Sequence, residues 1–441
     1  MNLFAKYSAC LKGEILCPGD KSISQRVLII GSYLNQEIFI SNILSSSDPI
    51  CTANALNQLN ANLILNKSSN TVKTVKRKVP FQDPTESLDL GNSGTGARLL
   101  VGFLSGLGIN ATITGDKSLS SRPMKRIVEP LTKMGFELNS NNHRLPIEII
   151  QSNGSSFFEY NSPISSAQVK SSILLAALTG SIETKITEPI RSRDHTERML
   201  KYFGADIHSE IKNNKNIIHF SPSDLSIQDK NYYVVGDFSS AAFLIVAALI
   251  AEDSEIMIRD VGINPTRAAL INVLKEMGGH IELTEAKKVS NEEVCNILVK
   301  HSQLKGTDIG GEIIPSLIDE IPILSIAASF ADGKSTISDI GELRVKESDR
   351  LNAISQGLNA IGIKNLMDKT SITIEGKTGY IDQIDNIESF DDHRIAMSFL
   401  IAGLRSKRGI TVNNCENIIT SYPNFVSDMN QLGFGIDEVK Q

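Results

Sequence analysis

Nothing in this 441-residue sequence offers a membrane span: the longest apolar run, Ala241 to Ala251, falls well short of the roughly 20 residues a spanning helix needs. Positive charge is not in excess either. Forty-four Lys and Arg against 50 Asp and Glu leave a net charge of −6, which argues against general nucleic-acid binding. Cysteine is scarce and scattered, at Cys10, Cys17, Cys51, Cys295 and Cys415, with no CxxC pair, as in a reducing compartment. There is no HExxH and no paired Cys/His spacing, so no metal is expected. Met1-Asn2-Leu3-Phe4-Ala5-Lys6 lacks the apolar core of a signal peptide and the Arg/Ser bias of a transit peptide. These absences predict a cytoplasmic protein. Nucleotide signatures fail as well: Gly333-Lys334-Ser335-Thr336 ends like a P-loop, but Ala328 stands where its first glycine belongs. Gly91-Asn92-Ser93-Gly94-Thr95-Gly96 has the wrong spacing for a dinucleotide fingerprint, and no GxSxG elbow occurs.

What the sequence does contain is a repeat. A polar or glycine-bearing turn leading into an apolar, small-residue helix occurs at Asp20-Lys21-Ser22, where Ser22 or Asp20 could cap the helix, and at Gly91–Leu99. It returns at Ser165–Leu175, Gly236–Leu244, Ile318–Leu324 and Asp391–Met397. Marked at Asp20, Gly91, Ser166, Asp237, Asp319 and Asp392, the intervals are 71, 75, 71, 82 and 73 residues. A second helix class interleaves. Its copies run from Arg122-Pro123 to Met134-Gly135, from Asp194 to Phe203-Gly204, and from Pro265 to Met277-Gly278. Further copies run from Lys346 to Ile361-Gly362 and from Tyr422-Pro423 to Leu432-Gly433, and Ser47-Asp48-Pro49 begins the first. The Asp194…Glu197 pair reads as a capping box, and the closing glycines read as C-terminal stops. β-Branched runs such as Ala111–Thr114, Ile256–Ile258 and Ser371–Ile374 read as strands. Six units of two helices and three or four strands predict two globes of three units, cut near Gly236-Asp237.

Charged residues gather at the unit starts. Lys21 and Arg26 lie at the first helix, where free N–H groups and the dipole also favour an anion. Gly94 and Thr95 lie in a turn whose bare backbone can approach an anion. Arg122 opens a second-class helix; Arg191, Arg193 and Asp194 cluster before another; Arg394 opens the last of the first class. Lys346 and Arg350 are read as one helical turn apart on one face, with Glu347 beside them, and Asp319-Glu320 starts the fifth-unit helix. Taken singly, each cation also fits a solvated helix face, and each carboxylate a charge balancer. Together they predict a site between the globes for a substrate with several phosphate and carboxylate charges, with carboxylates available for acid–base work.

Over almost its whole length the chain resembles the 5-enolpyruvylshikimate-3-phosphate synthase family. The resemblance rests on Gly19–Arg26, Leu90–Leu99, Gly115–Met124, Ser165–Gln168, Arg193–Glu197, Arg344–Arg350 and Asp392–Met397. It implies a two-globe inside-out α/β barrel built from six βαβαββ repeats, three per globe. One globe spans 20–237, the other 1–19 plus 238–441, with the active site in the cleft between them. It implies transfer of the enolpyruvyl group of phosphoenolpyruvate to the 5-hydroxyl of shikimate 3-phosphate, with loss of phosphate, on the shikimate pathway to aromatic amino acids. No cofactor, nucleic acid or membrane partner is implied, and a monomer is expected. By position, Lys21, Ser22, Arg26, Ser166, Ala167, Gln168, Arg193, Asp319 and Lys346 would hold shikimate 3-phosphate. Lys21, Gly94, Arg122, Gln168, Arg350 and Arg394 would hold phosphoenolpyruvate. Asp319 would be the base for the 5-hydroxyl, and Glu347 with Lys21 would carry the proton of the methylene carbon.

Three departures place the chain nearer the family's second bacterial branch. Ile419-Thr420-Ser421-Tyr422-Pro423 lacks the lysine of the better-known branch, Glu342 replaces an asparagine, and Ala167 replaces a serine. Glyphosate tolerance in that branch goes with alanine at the position of Gly94; glycine here implies a sensitive enzyme. The sister family, which acts on UDP-N-acetylglucosamine, has a cysteine where this chain has Lys117. A non-catalytic anion-binding scaffold would have no need of Asp319, Lys346 and Glu347 together.

Overall fold

The protein is described here from a computed structural model covering residues 1–8, 10–227, 229–382 and 386–439. The chain divides into two compact units. The first consists of Met1–Pro18, Gly236–Lys287 and Glu293–Gln441; the second consists of Gly19–Val235 and Lys288–Glu292.

Among the described residues, the second unit contains three four-stranded sheets. In one, Asn231–Tyr233, Ile38–Ser41, Thr71–Thr74 and Leu63–Asn66 lie side by side. The others follow the order Leu88–Asp89, Ala111–Thr114, Ile147–Ile150, Glu137–Ser140 and the order Phe157–Asn161, Glu183–Glu188, Lys215–Ser221, Asp206–Lys212. The three sheets of the first unit repeat this plan, with Lys12–Leu16 lying parallel to Glu255–Gly262 and Leu3–Ala5 inserted between Ile410–Asn413 and Ile436–Glu438. In all six sheets an edge strand runs parallel to its neighbour, which runs antiparallel to the third strand. A parallel pair needs a crossover, and the helices Gly94–Leu107, Ala167–Gly180 and His393–Ala402 supply it within their sheets. Six copies of one topology are the repeat seen in the sequence, and the expected βαβαββ architecture is present.

Strand burial alternates, as along Glu183–Glu188, so each sheet turns one face inward. The repeat-start helices are largely buried, and every residue of Phe238–Ile250 is so. Sheets therefore enclose helices within each unit. Two such helices are brought unusually close by glycine. A Cβ at Gly102 would lie 2.1 Å from the Ser172 carbonyl oxygen, and one at Gly106 would lie 2.3 Å from that of Ala176. Only hydrogen fits there, so Gly94–Leu107 and Ala167–Gly180 lie backbone to backbone. The second-class helices end as expected on left-handed glycine, Gly135 at φ 106° and Gly433 at φ 98° among them. Burial pushes the Cys295 thiol up to about 11 and the Cys415 thiol up to about 12, so neither supplies a thiolate at neutral pH. Among the described residues no helix is long and apolar enough to cross a membrane.

Candidate active site

In the second unit, the candidate residues follow from Asp20, a helix cap. Its carboxylate accepts the Ile23 N–H at 2.8 Å, which places Lys21 and Ser22 in the first turn of the helix Lys21–Tyr33. Lys21 Nζ lies 3.3 Å from Asp48 Oδ2, a carboxylate brought by the start of the neighbouring helix Ser47–Gln58. Arg26, only 3% exposed, donates to Thr196 Oγ1 at 2.8 Å, Ser171 Oγ at 3.0 Å and the Ser22 carbonyl at 3.0 Å. It ties the first-helix start to two other segments of the unit.

Gly94 and Thr95 are not in a turn, as their glycine-rich setting suggested. Ser93 accepts the Gly96 N–H at 3.1 Å and starts the helix Gly94–Leu107 immediately after it. The close approach at Gly102 and Gly106 then brings Gln168, on the neighbouring helix, to this terminus. Gln168 donates to Thr95 Oγ1 at 3.1 Å and accepts from Arg98 at 2.8 Å. Arg122 donates to Asn92 Oδ1 at 2.5 Å. Its Nη1 would lie 3.0 Å from a Cβ built on Gly94, and that of Arg98 would lie 3.2 Å away. Gly94, Arg122 and Gln168 thus form one group. Arg122 does not open a helix. It follows the short helix Lys117–Ser121 in extended conformation, and the next helix starts at Lys125, because the residue before Pro123 is pushed out of the helical region.

Ser166 precedes the helix Ala167–Gly180, so Ser166, Ala167 and Gln168 sit together at its start. Arg193 lies, partly buried, on the segment before the helix His195–Tyr202. The expected capping box there does not form. Asp194 makes no side-chain cap; its carboxylate pairs with Arg191 at 2.5 Å and Arg198 at 2.8 Å. Glu197 turns instead to Lys170, 2.8 Å away. Lys170 is 1% exposed and also contacts Glu188 at 3.0 Å and the Ser192 carbonyl at 3.3 Å. Burial raises the Glu197 carboxyl above the usual range, against the pull of Lys170. The segment carrying Arg193 is therefore pinned from beneath.

In the first unit, Asp319, Lys346, Glu347, Arg350 and Arg394 come together around one buried guanidinium. Arg350 is 1% exposed, with Nε 2.7 Å from Asp392, Nη2 2.5 Å from Glu347 and Nη1 3.5 Å from Asp319. Burial acts to lower its pKa, but the carboxylates, Asp392 first, outweigh this and raise it. Lys346 is 3.6 Å from Asp319 and 3.7 Å from Glu342. Lys346 and Arg350 do not share a helical face. Lys346 ends the short 3₁₀ segment Gly341–Val345, and the helix Arg350–Ala360 starts only after Asp349, whose carboxylate accepts the Asn352 N–H at 3.0 Å. The break at Asp349 lets both cations reach Asp319 from different elements.

Arg394, in the first turn of the helix His393–Ala402, donates to the Asp319 carbonyl at 2.8 Å and to Ser239 Oγ at 3.1 Å. Among the buried partners, Glu320 is one of the carboxylates that the sequence places among the cations, whereas Asp392, Ser239 and Arg267 do not stand out there as site residues. Asp392 and Asp237 were visible there as repeat marks, and here both are helix caps, accepting the Arg394 and Ser239 N–H groups at 2.9 and 2.8 Å.

Chemically, the second unit presents Lys21, Arg122 and amide-bearing helix starts; the first presents three cations interleaved with carboxylates. Each set presents positive charge that suits an anion, and Asp319 and Glu347 lie beside the Arg350 guanidinium.

The chain matches the family model for EPSP synthase (3-phosphoshikimate 1-carboxyvinyltransferase) over residues 6–429. It is 46% identical over 417 residues to 3-phosphoshikimate 1-carboxyvinyltransferase from Petrotoga mobilis, covering 94% of this chain and 95% of that one. The structure superposes on EPSP synthase from Acinetobacter baumannii with a TM-score of 0.87, at 36% identity and full coverage of both chains. A TM-score of 0.76 at 17% identity to the enolpyruvyl transferase NikO from Streptomyces tendae, over 100% of this chain and 99% of that one, marks a shared fold.

Proposed function

The chain belongs to the EPSP synthase family and is an enolpyruvyl transferase of the shikimate pathway; on that premise we propose how its residues perform the transfer to shikimate 3-phosphate. Asp319 takes the proton of the 5-hydroxyl as that oxygen attacks C2 of phosphoenolpyruvate. Glu347, working with Lys21, delivers a proton to the methylene carbon, giving a tetrahedral adduct that keeps its phosphate and carboxylate. The same group then removes a proton from the new methyl carbon as the C–O bond to phosphate breaks, and the vinyl double bond re-forms.

Lys21, Ser22, Arg26, Ser166, Ala167, Gln168, Arg193, Asp319 and Lys346 hold shikimate 3-phosphate, and Arg26 also donates to the Ser22 carbonyl. Lys21, Gly94, Arg122, Gln168, Arg350 and Arg394 hold phosphoenolpyruvate. Fixed cations match the charge of the adduct without reorganising, which lowers the barrier to forming it. The reaction needs no metal or organic cofactor, and the enzyme acts as a cytoplasmic monomer. The observation that carries this reading is the cluster of Asp319, Lys346, Glu347, Arg350 and Arg394, joined by ion pairs and by the hydrogen bond from Arg394 to the Asp319 carbonyl.

Phosphate release from phosphoenolpyruvate, offered separately with shikimate 3-phosphate and with UDP-N-acetylglucosamine, tests the assignment. Release with the first alone is the expected result. Release with the second alone would move the acceptor to the sister family, and silence with both would favour a scaffold.

Gly94→Ala gives a sharper test of the phosphoenolpyruvate side. The new methyl would press on Arg122 Nη1 and Arg98 Nη1, the far ends of two long side chains that need give way only slightly, so folding is spared while the anion site shrinks. Glyphosate inhibition should weaken by about tenfold or more, the equivalent of roughly 1.4 kcal/mol. An unchanged inhibition constant would contradict the placement of Gly94.

A further inference from the structure

Asp319 and Glu320 are adjacent in the chain but serve different cations. The Asp319 carboxylate lies beside Lys346 and Arg350. Glu320 is 2% exposed, and its Oε1 accepts the Ser239 hydroxyl proton and lies 3.4 Å from Arg394 Nη1. Glu320 occupies the N-cap position of the helix Ile321–Ser329 yet makes no capping hydrogen bond, so the helix start does not account for it. Burying a carboxylate is costly unless it is paired, and burial does raise the Glu320 carboxyl, with Arg394 and Arg267 acting against the rise.

Its partners form a closed set around Arg394. Ser239 Oγ donates to Glu320 and accepts from Arg394 at 3.1 Å and from Arg267 at 2.6 Å, which uses all the hydrogen-bonding capacity of a hydroxyl. Arg267 is held in turn by Asp237 at 3.1 Å. Arg394 also donates from Nη1 to the Asp319 carbonyl at 2.8 Å. Both terminal nitrogens of this guanidinium are therefore oriented by buried groups, while the side chain as a whole is 12% exposed.

We propose that Glu320, acting with Ser239, is a positioning residue that sets the orientation of Arg394 and hence the affinity for the anionic end of phosphoenolpyruvate. This rests on the reading that Arg394 binds that substrate. Asp319 then serves the hydroxyl chemistry, and Glu320 serves substrate capture, from consecutive positions.

The test compares Glu320→Gln, Ser239→Ala, Arg394→Lys and the Glu320→Gln/Arg394→Lys double variant by kcat and by KM for each substrate. Glu320→Gln is expected to raise KM for phosphoenolpyruvate by about tenfold, the scale of one charge-assisted hydrogen bond. KM for shikimate 3-phosphate should stay within about twofold, and in the Arg394→Lys background the added effect should fall to about twofold or less. If Arg394→Lys raises KM for phosphoenolpyruvate and Glu320→Gln does not, the positioning role is overturned. Equal losses for both substrates, with a lowered denaturation midpoint, would also overturn it, showing a structural role only. If Arg394→Lys leaves that KM unchanged, the premise about Arg394 fails first and takes the proposal with it. Should Glu320→Gln not fold, Ser239→Ala, which deletes only the bridging hydroxyl, is read by the same criteria.

Discussion

Glu347→Gln should lower kcat by about 10²–10⁴-fold, the range of general acid–base catalysis, with KM for shikimate 3-phosphate nearly unchanged. Glutamine keeps the shape of the side chain but cannot take up and return a proton. The position is suited to that work: Glu347 is 29% exposed, while the Arg350 guanidinium that anchors it at 2.5 Å is 1% exposed. The carboxylate is thus accessible from one side and fixed from the other. Arg350 would retain Asp392 at 2.7 Å, so the variant should stay folded. Initial rates with both substrates decide the matter. A kcat within tenfold of the parent would assign the proton to another group.

Lys170→Met should cost stability rather than chemistry, by about 3–5 kcal/mol, because removing one member of a buried ion cluster strands the others. Lys170 stands between Glu188 and Glu197, all three nearly or fully buried. Methionine would leave two carboxylates without their cation. The deficit should be pH-dependent. A carboxyl whose folded-state pKa is raised stabilises the fold below its unfolded pKa, and that contribution is lost as pH rises through the folded pKa. Glu197 is already raised by burial, and loss of Lys170 would raise it further. Denaturant midpoints of the variant should therefore approach the parent's as pH falls from neutral toward the carboxylate range. Adding Glu188→Gln and Glu197→Gln should recover part of the loss at neutral pH. A single variant as stable as the parent would show that the cluster has no such role.

The repeats were legible because each unit carries its own punctuation: caps such as Asp20, left-handed glycines such as Gly135, and apolar helices at near-constant intervals. Part of the candidate site was legible for the same reason, since Lys21, Gln168 and Arg394 stand at repeating helix starts, whereas Arg122 and Lys346 do not. The errors share one cause. Each local rule was overridden by a partner distant in sequence or by a competing neighbour. Asp194 and Glu197 have the spacing of a capping box, but Arg191 and Arg198 take the first and Lys170 the second. Lys346 and Arg350 have helical spacing, but Asp349 caps the helix between them. Arg122 precedes a proline that denies it the helix. Glu320 looked like one half of an acidic pair, and its separate allegiance to Ser239 and Arg394 depends on tertiary contacts that no spacing reveals.

The chemistry proposed for this chain is addition followed by elimination, with Glu347 and Lys21 carrying the methylene proton. It is tested most directly by running the reaction in deuterium oxide and examining the vinyl group of the product by NMR. Addition makes a methyl group that has gained one solvent deuteron, and elimination removes one of its three hydrogens, so the account predicts deuterium in the product's methylene carbon. A vinyl group formed at the normal rate and free of deuterium would contradict it.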